Sequence, residues 1–365
     1  VAAYLEKVRE MEAQPYNDLY RKTLLHLSGG ISPAELVLFR RFMDSFGATA
    51  VGPLLGGAFN TIQKDNTGVI ELINISDEVN AGVGLVTFFG HSAPSVTDID
   101  IGFVTNPTLG YNNLNKYPMF LVNGCQAGQF FLPEVIFGED WINASDKGAV
   151  GFIAHSSFGF PGGLRRYTDL FYRTAFEDSL FFSKPVGIIQ QETGRKFQDI
   201  STPSMQVITQ IQQMVLLGDP ATPIYNTPLP DYATNNDVLF ITTPDGSPAT
   251  SRTPEIEINI VASNFGRTQR DSLEVRVIRT LSNNVQLTYD SVFAPVYFQD
   301  TLKVVLPNSS VESAGNNIFE VFLDPNDLIP ELNENNNTGR FEFFLPSFST
   351  RNVLPSNYTI EAGTN

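Results

Sequence analysis

A single cysteine, Cys125, stands among 365 residues, and that scarcity excludes any internal disulfide framework. Positive charge is also thin: 23 Lys and Arg face 39 Asp and Glu, giving a formal net charge of -16 and a pI near 4.6. A phosphate backbone would be repelled by such a surface, which argues against nucleic acid as a partner. No apolar run reaches the roughly 18 residues of a membrane span. An amino-terminal secretory signal is missing too. Val1 opens directly into an amphipathic helical pattern, the expectation for an excised or processed piece of a longer chain. What remains, 42% hydrophobic and 12% aromatic residues, is the composition of a folded globular protein long enough for two domains. Low Lys with abundant Asn, Thr and Gly suits an extracellular protein that relies on its core.

Against that background the stretch from Gly84 to Cys125 carries the chemistry. Gly84-Leu-Val-Thr-Phe-Phe-Gly90 ends on His91, and Pro118-Met-Phe-Leu-Val-Asn-Gly124 ends on Cys125. Both are apolar runs of strand length, as in strands buried on both faces, and functional groups of open α/β sheets gather beyond the carboxyl ends of such strands. Cysteine attacks as the thiolate, and a neighbouring imidazole can take its proton and return it to a leaving group. The two together outline a nucleophile and its acid/base.

The rest of the chain divides in two. Val1–Ala13 has helical spacing, Thr23–Leu27 is a short strand, and Ser32-Pro33-Ala34-Glu35 reads as an N-cap with Pro at the first helical position, opening a helix to about Phe46. Ala48–Leu54 reads as a second strand, and Val69–Asn80 as a helix with Ile70, Leu72, Ile73 and Val79 on a buried stripe. Helices are expected at Pro133–Asp146, Gly163–Glu177 and Pro185–Phe197, with a strand at Gly148–Ala154. This alternation is the signature of a parallel α/β sheet. Four prolines between Pro220 and Pro230 read as a semi-rigid linker. Beyond it, seven short alternating segments from Val238 to Phe344 point to an antiparallel β-sandwich. The expected division is 1–229 for the α/β domain, 230–346 for the sandwich, and 347–365 for a tail or the start of a further segment.

The residues of the first part resemble the gingipain-like cysteine peptidases, a family with a caspase-like α/β fold whose relatives include the sortase of the type IX secretion system. The resemblance rests on Gly84–His91, on Asn123-Gly-Cys125 with Gly128 and Phe130, on Gly148–Ala154 and on Leu217-Gly-Asp-Pro220, together with the 34-residue separation of His91 and Cys125. It implies that Cys125 attacks a peptide carbonyl to form a thioester and that His91 assists the leaving amine. The backbone amides of Ser92 and Cys125 would then face the developing oxyanion, and Phe158 and Phe160 would line a substrate pocket. It implies a secreted or cell-surface bacterial peptidase acting on protein or peptide substrates, with secretion-system components as further partners, and no cofactor or metal. Sortase-like transfer to an amine is the second outcome open to the same thioester.

The chain departs from the family in three respects. Ser92 follows the histidine where the family has Gly, so a positive φ there would be costly. No carboxylate ends the Leu24–Gly29 strand, leaving the histidine's orienting partner unassigned. The family's upstream α/β subdomain is absent from the sequence. These departures keep a non-catalytic binding or scaffold protein as the alternative reading. The second part resembles a bacterial adhesion-related immunoglobulin-like sandwich, through Asn264-Phe-Gly266 and the Asp324–Asn336 segment. There Asp324, Asn326 and Asp327 are expected to build an Asx turn in preference to holding calcium.

Overall fold

The protein is seen in a computed structural model that describes residues 1–308 and 311–347, so the expected tail, apart from Ser347, lies outside the described residues. The first domain runs α1 (Ala2–Ala13), β1 (Thr23–Ser28), α2 (Pro33–Ala50), β2 (Ala58–Gln63), β3 (Glu71–Leu72), α3 (Ser76–Ala81) and β4 (Leu85–Phe89). It continues through β5 (Ser92–Ala93), β6 (Val96–Thr97), β7 (Ile99–Asp100), β8 (Met119–Asn123), α4 (Phe137–Asn143), β9 (Gly151–His155), α5 (Pro161–Phe176), α6 (Val186–Asp199), α7 (Met205–Gln212) and β10 (Met214–Gly218). Six strands form one sheet in the order β10-β9-β8-β4-β1-β2, all parallel except β10, which runs antiparallel to β9. The central strands are apolar throughout because both faces are covered. Successive side chains alternate between two cores. Leu24, Leu85, Leu121 and Ile153 pack with α2, α5 and α6, whereas Leu25, Val86, Phe120 and Phe152 pack with α3 and α4.

Two sequence expectations fail here for identifiable reasons. Ala48–Leu54 is not a strand, because α2 continues to Ala50 and the second strand is Ala58–Gln63. Phe46, Gly47 and Ala50 extend the buried helical stripe, and Gly47 leaves room for Phe59 of β2, whose ring would lie 2.5 Å from an added Cβ. Val69–Asn80 is helical only over α3, with Ile75 and Val79 buried. Leu72 is 79% exposed because β3 is drawn into parallel pairing with β7.

A buried polar chain crosses the first core. His26 Nε2 lies 2.9 Å from the Tyr172 hydroxyl, which is 2.7 Å from Thr87 Oγ1. Burial pulls the His26 imidazole down to about 3, so it is neutral in the fold. Its unfolded counterpart takes up a proton near 6.5. Between those values the unfolded state binds more protons, and stability falls as pH drops from about 6.5 toward 3, by up to about 5 kcal/mol. Urea unfolding followed through the only tryptophan, the buried Trp141, should show this acid loss. His26→Gln should flatten it.

The second domain is a sandwich. One antiparallel sheet has β13 (Glu255–Asn264) at its centre, with β11 (Tyr232–Ala233), β12 (Leu239–Thr242) and β16 (Gln299–Pro307) paired to it. The other has the order β15 (Gln286–Phe293), β14 (Leu273–Thr280), β17 (Gly315–Leu323) and β18 (Thr338–Leu345). Period-2 burial, clearest in β14 and β17, turns Ile256, Ile258, Val275, Val277, Phe319 and Val321 into the shared core. All seven expected strands are present; β11 is an addition. Asp324 accepts from the Ile329 amide at 2.6 Å while Asn326 donates to Glu274 at 2.9 Å, so this segment is a side-chain-braced turn.

The Pro220–Pro230 stretch is a packed connection instead of a spacer. Tyr225 and Thr227 are buried, and the Tyr225 hydroxyl donates to the Phe265 carbonyl at 2.9 Å. Lys22, just before β1, is fully buried and donates to the carbonyls of Asn264, Gly266 and Tyr297 at 3.0, 2.9 and 2.5 Å. The Asn264-Phe-Gly266 corner of the sandwich thus receives the amino edge of the parallel sheet.

Candidate active site

At the opposite, carboxyl edge of the sheet three strand ends are level. Parallel pairing sets Ser28 beside Phe89 and Phe89 beside Asn123. His91 and Cys125 each follow that row by two residues on adjacent strands, which in a sheet lie about 4.8 Å apart. Backbone bonds lock the level: the Gly29 amide donates to Phe89 at 2.9 Å and the Gly90 amide to Asn123 at 3.1 Å. The Asn123 side chain is buried between the Phe88 carbonyl and the Thr168 hydroxyl of α5, at 3.1 and 2.6 Å. That clamp fixes the turn leading to the thiol.

The imidazole has a carboxylate partner that the strand ends do not disclose. His91 Nε2 lies 3.3 Å from Oε1 of Glu35, in the first turn of α2. Glu35 is held by a reciprocal cap: its amide donates to Ser32 Oγ at 3.3 Å, and its Oε2 accepts from the Ile31 amide at 2.9 Å. Burial works to raise its carboxyl, but the Ile31 amide and His91 outweigh it and hold the group below the usual carboxylate range. One turn further along α2, the Phe39 ring flanks the imidazole at 6.3 Å between centroids. The carboxylate beside His91 therefore comes from the helix after β1, not from the strand. The signal was present in the sequence as the Ser32-Pro-Ala-Glu35 cap, which defines a side chain aimed back at the sheet edge.

Beneath this pair Asp98 ties the two loops together. It is buried, its Oδ2 accepts from the Gly30 amide at 2.7 Å, and its own amide donates to the His91 carbonyl at 2.8 Å. Gly29 and Gly90 make room for the carboxylate; an added Cβ would come within 2.1 and 2.4 Å of its Oδ1. Burial pushes the Asp98 carboxyl up, opposed by the Gly30 and His91 amides and by the charge of Lys64.

Ser92 carries no strain, since its φ is not among the positive values that would demand glycine. It pairs with Thr97 in the β5–β6 hairpin. His91 and Asp98 form the neighbouring hydrogen-bonded pair, so the Ser92–Thr97 pair is of the other kind, with amides turned away from the partner strand. The Ser92 hydroxyl donates to the Cys125 carbonyl at 2.7 Å. Gly124 is required there, because a Cβ would sit 2.1 Å from Ser92 Oγ. The serine that replaces the expected glycine is thus a strut between the histidine and cysteine loops.

After Cys125 the chain turns sharply, with Gln126 at φ 61° and its amide bonded to the Ser157 carbonyl at 2.9 Å. Left-handed residues of this kind cluster where a structure holds a functional group in place. Cys125 is partly exposed, and its Sγ lies 3.9 Å from the Gly159 carbonyl. Phe158 and Phe160 flank that glycine at 71% and 60% exposure, so neither belongs to the core. His155 is buried, with Nδ1 2.8 Å from the Ser157 carbonyl, and braces the same loop.

A thiol two residues beyond β8 and a carboxylate-paired imidazole two residues beyond the adjacent β4 stand at the carboxyl edge of a parallel sheet, the arrangement expected of an α/β domain of the cysteine-peptidase type. The sequence matches Peptidase family C25 over residues 1–225, and the chain belongs to that family. The Arg-specific cysteine proteinase gingipain R (RgpB) shares its fold, with a TM-score of 0.50 at 13% identity over 94% of this chain and 72% of that one. The complex of Porphyromonas gingivalis RgpB pro- and mature domains gives 0.47 at 13% identity, covering 94% and 73%. A CARDB domain from Pyrococcus furiosus aligns with 33% of this chain and 92% of its own length, at 20% identity and a TM-score of 0.24. No curated protein matches the sequence. Among the described residues no helix is long and apolar enough to cross a membrane.

Proposed function

We propose that this chain cleaves peptide bonds through a thioester on Cys125. The observation that carries the reading is the Glu35–His91 pair just beyond β4, level with Cys125 just beyond the adjacent β8. A proton on Nε2 given to Glu35 leaves Nδ1 as the base that takes the thiol proton. The thiolate adds to the carbonyl, and the negative oxygen is met by the amides of Ser92 and Cys125, fixed before charge develops. His91 then returns the proton to the departing amine, and water attacks the thioester. Phe158 and Phe160 supply an apolar wall beside the sulfur for the substrate chain. An amine in place of water would make the same intermediate a transfer reaction, the branch in which secretion-system partners belong. The reading places the chain at the cell surface or in the medium, where protein substrates are met.

The test is cleavage of a mixed-sequence peptide pool, with products read by mass spectrometry. Wild type should release fragments, and should add a supplied Gly-peptide amine to the acyl fragment if transfer competes. Cys125→Ala should do neither. The proposal fails if wild type leaves the pool intact while iodoacetamide still alkylates Cys125, or if Cys125→Ala cleaves equally well.

A further inference from the structure

The rim of the site carries a cation without a counter-ion. Helices α2 and α5 both begin at the carboxyl edge of the sheet and pack side by side over it. Their arginines are treated differently. Arg40 pairs with Asp44 at 2.8 Å and Arg173 with Asp169 at 3.0 Å, each one turn along its own helix. Arg165 makes no ion pair among the described residues, and the carboxylate one turn on, Asp169, is already taken by Arg173. Arg41 and Arg166 on the same helices also make no ion pair among the described residues, so Arg165 is singled out by its place over an aromatic ring.

Arg165 is also placed. Its guanidinium carbon lies 5.6 Å from the centre of the Phe42 ring, which meets Phe89 edge-on at 5.2 Å. Phe89 in turn contacts Phe39 at 4.9 Å, and Phe39 flanks His91. The neighbouring Leu164 packs beneath Gly159, whose carbonyl approaches Cys125 Sγ. Thr168, one turn on, holds Asn123, two residues before the cysteine. The charge therefore rests on an aromatic platform spanning α5 and α2, with its helix fixed to the nucleophile turn. A ring face stabilises the cation without consuming its N–H donors, which remain available for a planar anion.

We infer that Arg165 selects substrates with a carboxylate side chain on the acyl side of the bond cleaved, the residue whose carbonyl Cys125 attacks. The side follows from strand order: β8 lies between β4 and β9. The leaving amine goes toward His91 on the β4 side, and the acyl residue lies toward Gly159 and α5 on the β9 side. A carboxylate there would meet the guanidinium through two parallel charge-assisted bonds. Net negative charge opposes long-range approach of acidic peptides, so selection acts at contact. This inference rests on the thioester reading.

The test uses tripeptidyl acyloxymethyl ketones carrying Glu, Gln or Lys next to the reactive group, with labelling of Cys125 timed by mass spectrometry. In wild type the Glu probe should label at least about ten times faster than the isosteric Gln probe, a ratio typical of one charge-assisted contact. Arg165→Ala should bring the Glu-to-Gln ratio to about one. Arg165→Glu should invert it and raise the Lys-to-Gln ratio above one, a gain that misfolding cannot produce. Equal Glu and Gln rates in wild type, or a ratio that survives Arg165→Ala, would overturn the inference while leaving the peptidase reading intact. Failure of every probe to label a cysteine that iodoacetamide reaches would remove both.

Discussion

His91→Ala should lower kcat/KM for peptide cleavage by about three orders of magnitude, within the range usual for losing a positioned acid/base. Glu35→Gln should cost less, about tenfold, because Glu35 only orients and charges the imidazole. Its contact with His91 is long at 3.3 Å, and its side chain is 30% exposed, which weakens the interaction. The two changes should not add: with the imidazole gone Glu35 has nothing to position, so Glu35→Gln in the His91→Ala background should change kcat/KM by less than about twofold. The pH dependence has a defined sign. Burial favours the neutral acid, but the Ile31 amide and His91 hold the Glu35 carboxyl below its ordinary value, so its charge is fully present through neutral pH. The loss in Glu35→Gln should therefore be constant from about pH 6 upward and shrink only in acid, where Glu35 itself protonates. Steady-state rates across pH 4 to 8 check both statements, and a Glu35→Gln variant as active as wild type would remove the carboxylate from the mechanism.

The legibility of this site in the sequence was uneven, for physical reasons. His91 and Cys125 could be found because each ends an apolar run, and a parallel sheet converts strand ends into neighbours. Glu35 could be read only as a helix cap, since its contact with His91 spans 56 residues and depends on how α2 leaves β1. Asp98 was invisible for a similar reason. Nothing in the Val96–Asp100 stretch marks a carboxylate that the loops after β1 and β4 close around; the sign lies in Gly29 and Gly90, which have no side chains to read. Ser92 misled by its family position, because the expected penalty assumed a glycine-like backbone that the β5–β6 hairpin does not impose. In the sandwich, period-2 alternation places seven strands and misses the two-residue β11, whereas in the α/β domain the end of α2 reads as a strand. Short apolar runs there fit either period, and the buried helical stripe through Phe46 and Ala50, with Phe59 against Gly47, decides for the helix.

Lys22→Met should uncouple the two domains. The ammonium of Lys22 has three N–H donors and meets three backbone carbonyls of the sandwich, while its burial pulls it down to about 7. Methionine fills much the same volume but leaves Asn264, Gly266 and Tyr297 with carbonyls that lose a partner at a cost of about 1 kcal/mol or more each. Relief from burying a cation offsets part of this, for a net loss of about 2 kcal/mol near neutral pH. The pH trend follows from the depressed value. Between about 7 and the unfolded value near 10.4 the unfolded chain holds more protons, so the Lys22 contribution becomes more favourable as pH rises, and the full cost of the buried charge is felt below 7. Scanning calorimetry should show one transition for wild type and two for Lys22→Met, with the gap between variants widening from pH 7 to 9. A single unshifted transition would mean that the remaining contacts, Thr268 to Leu54 and Tyr225 to Phe265, suffice for docking. Because Lys22 lies at the amino edge of the sheet and Cys125 at the carboxyl edge, the same variant should keep its peptide-cleaving rate below the first transition. That combination, a separated sandwich with unchanged chemistry, is what a domain docked behind the site for placement instead of catalysis requires.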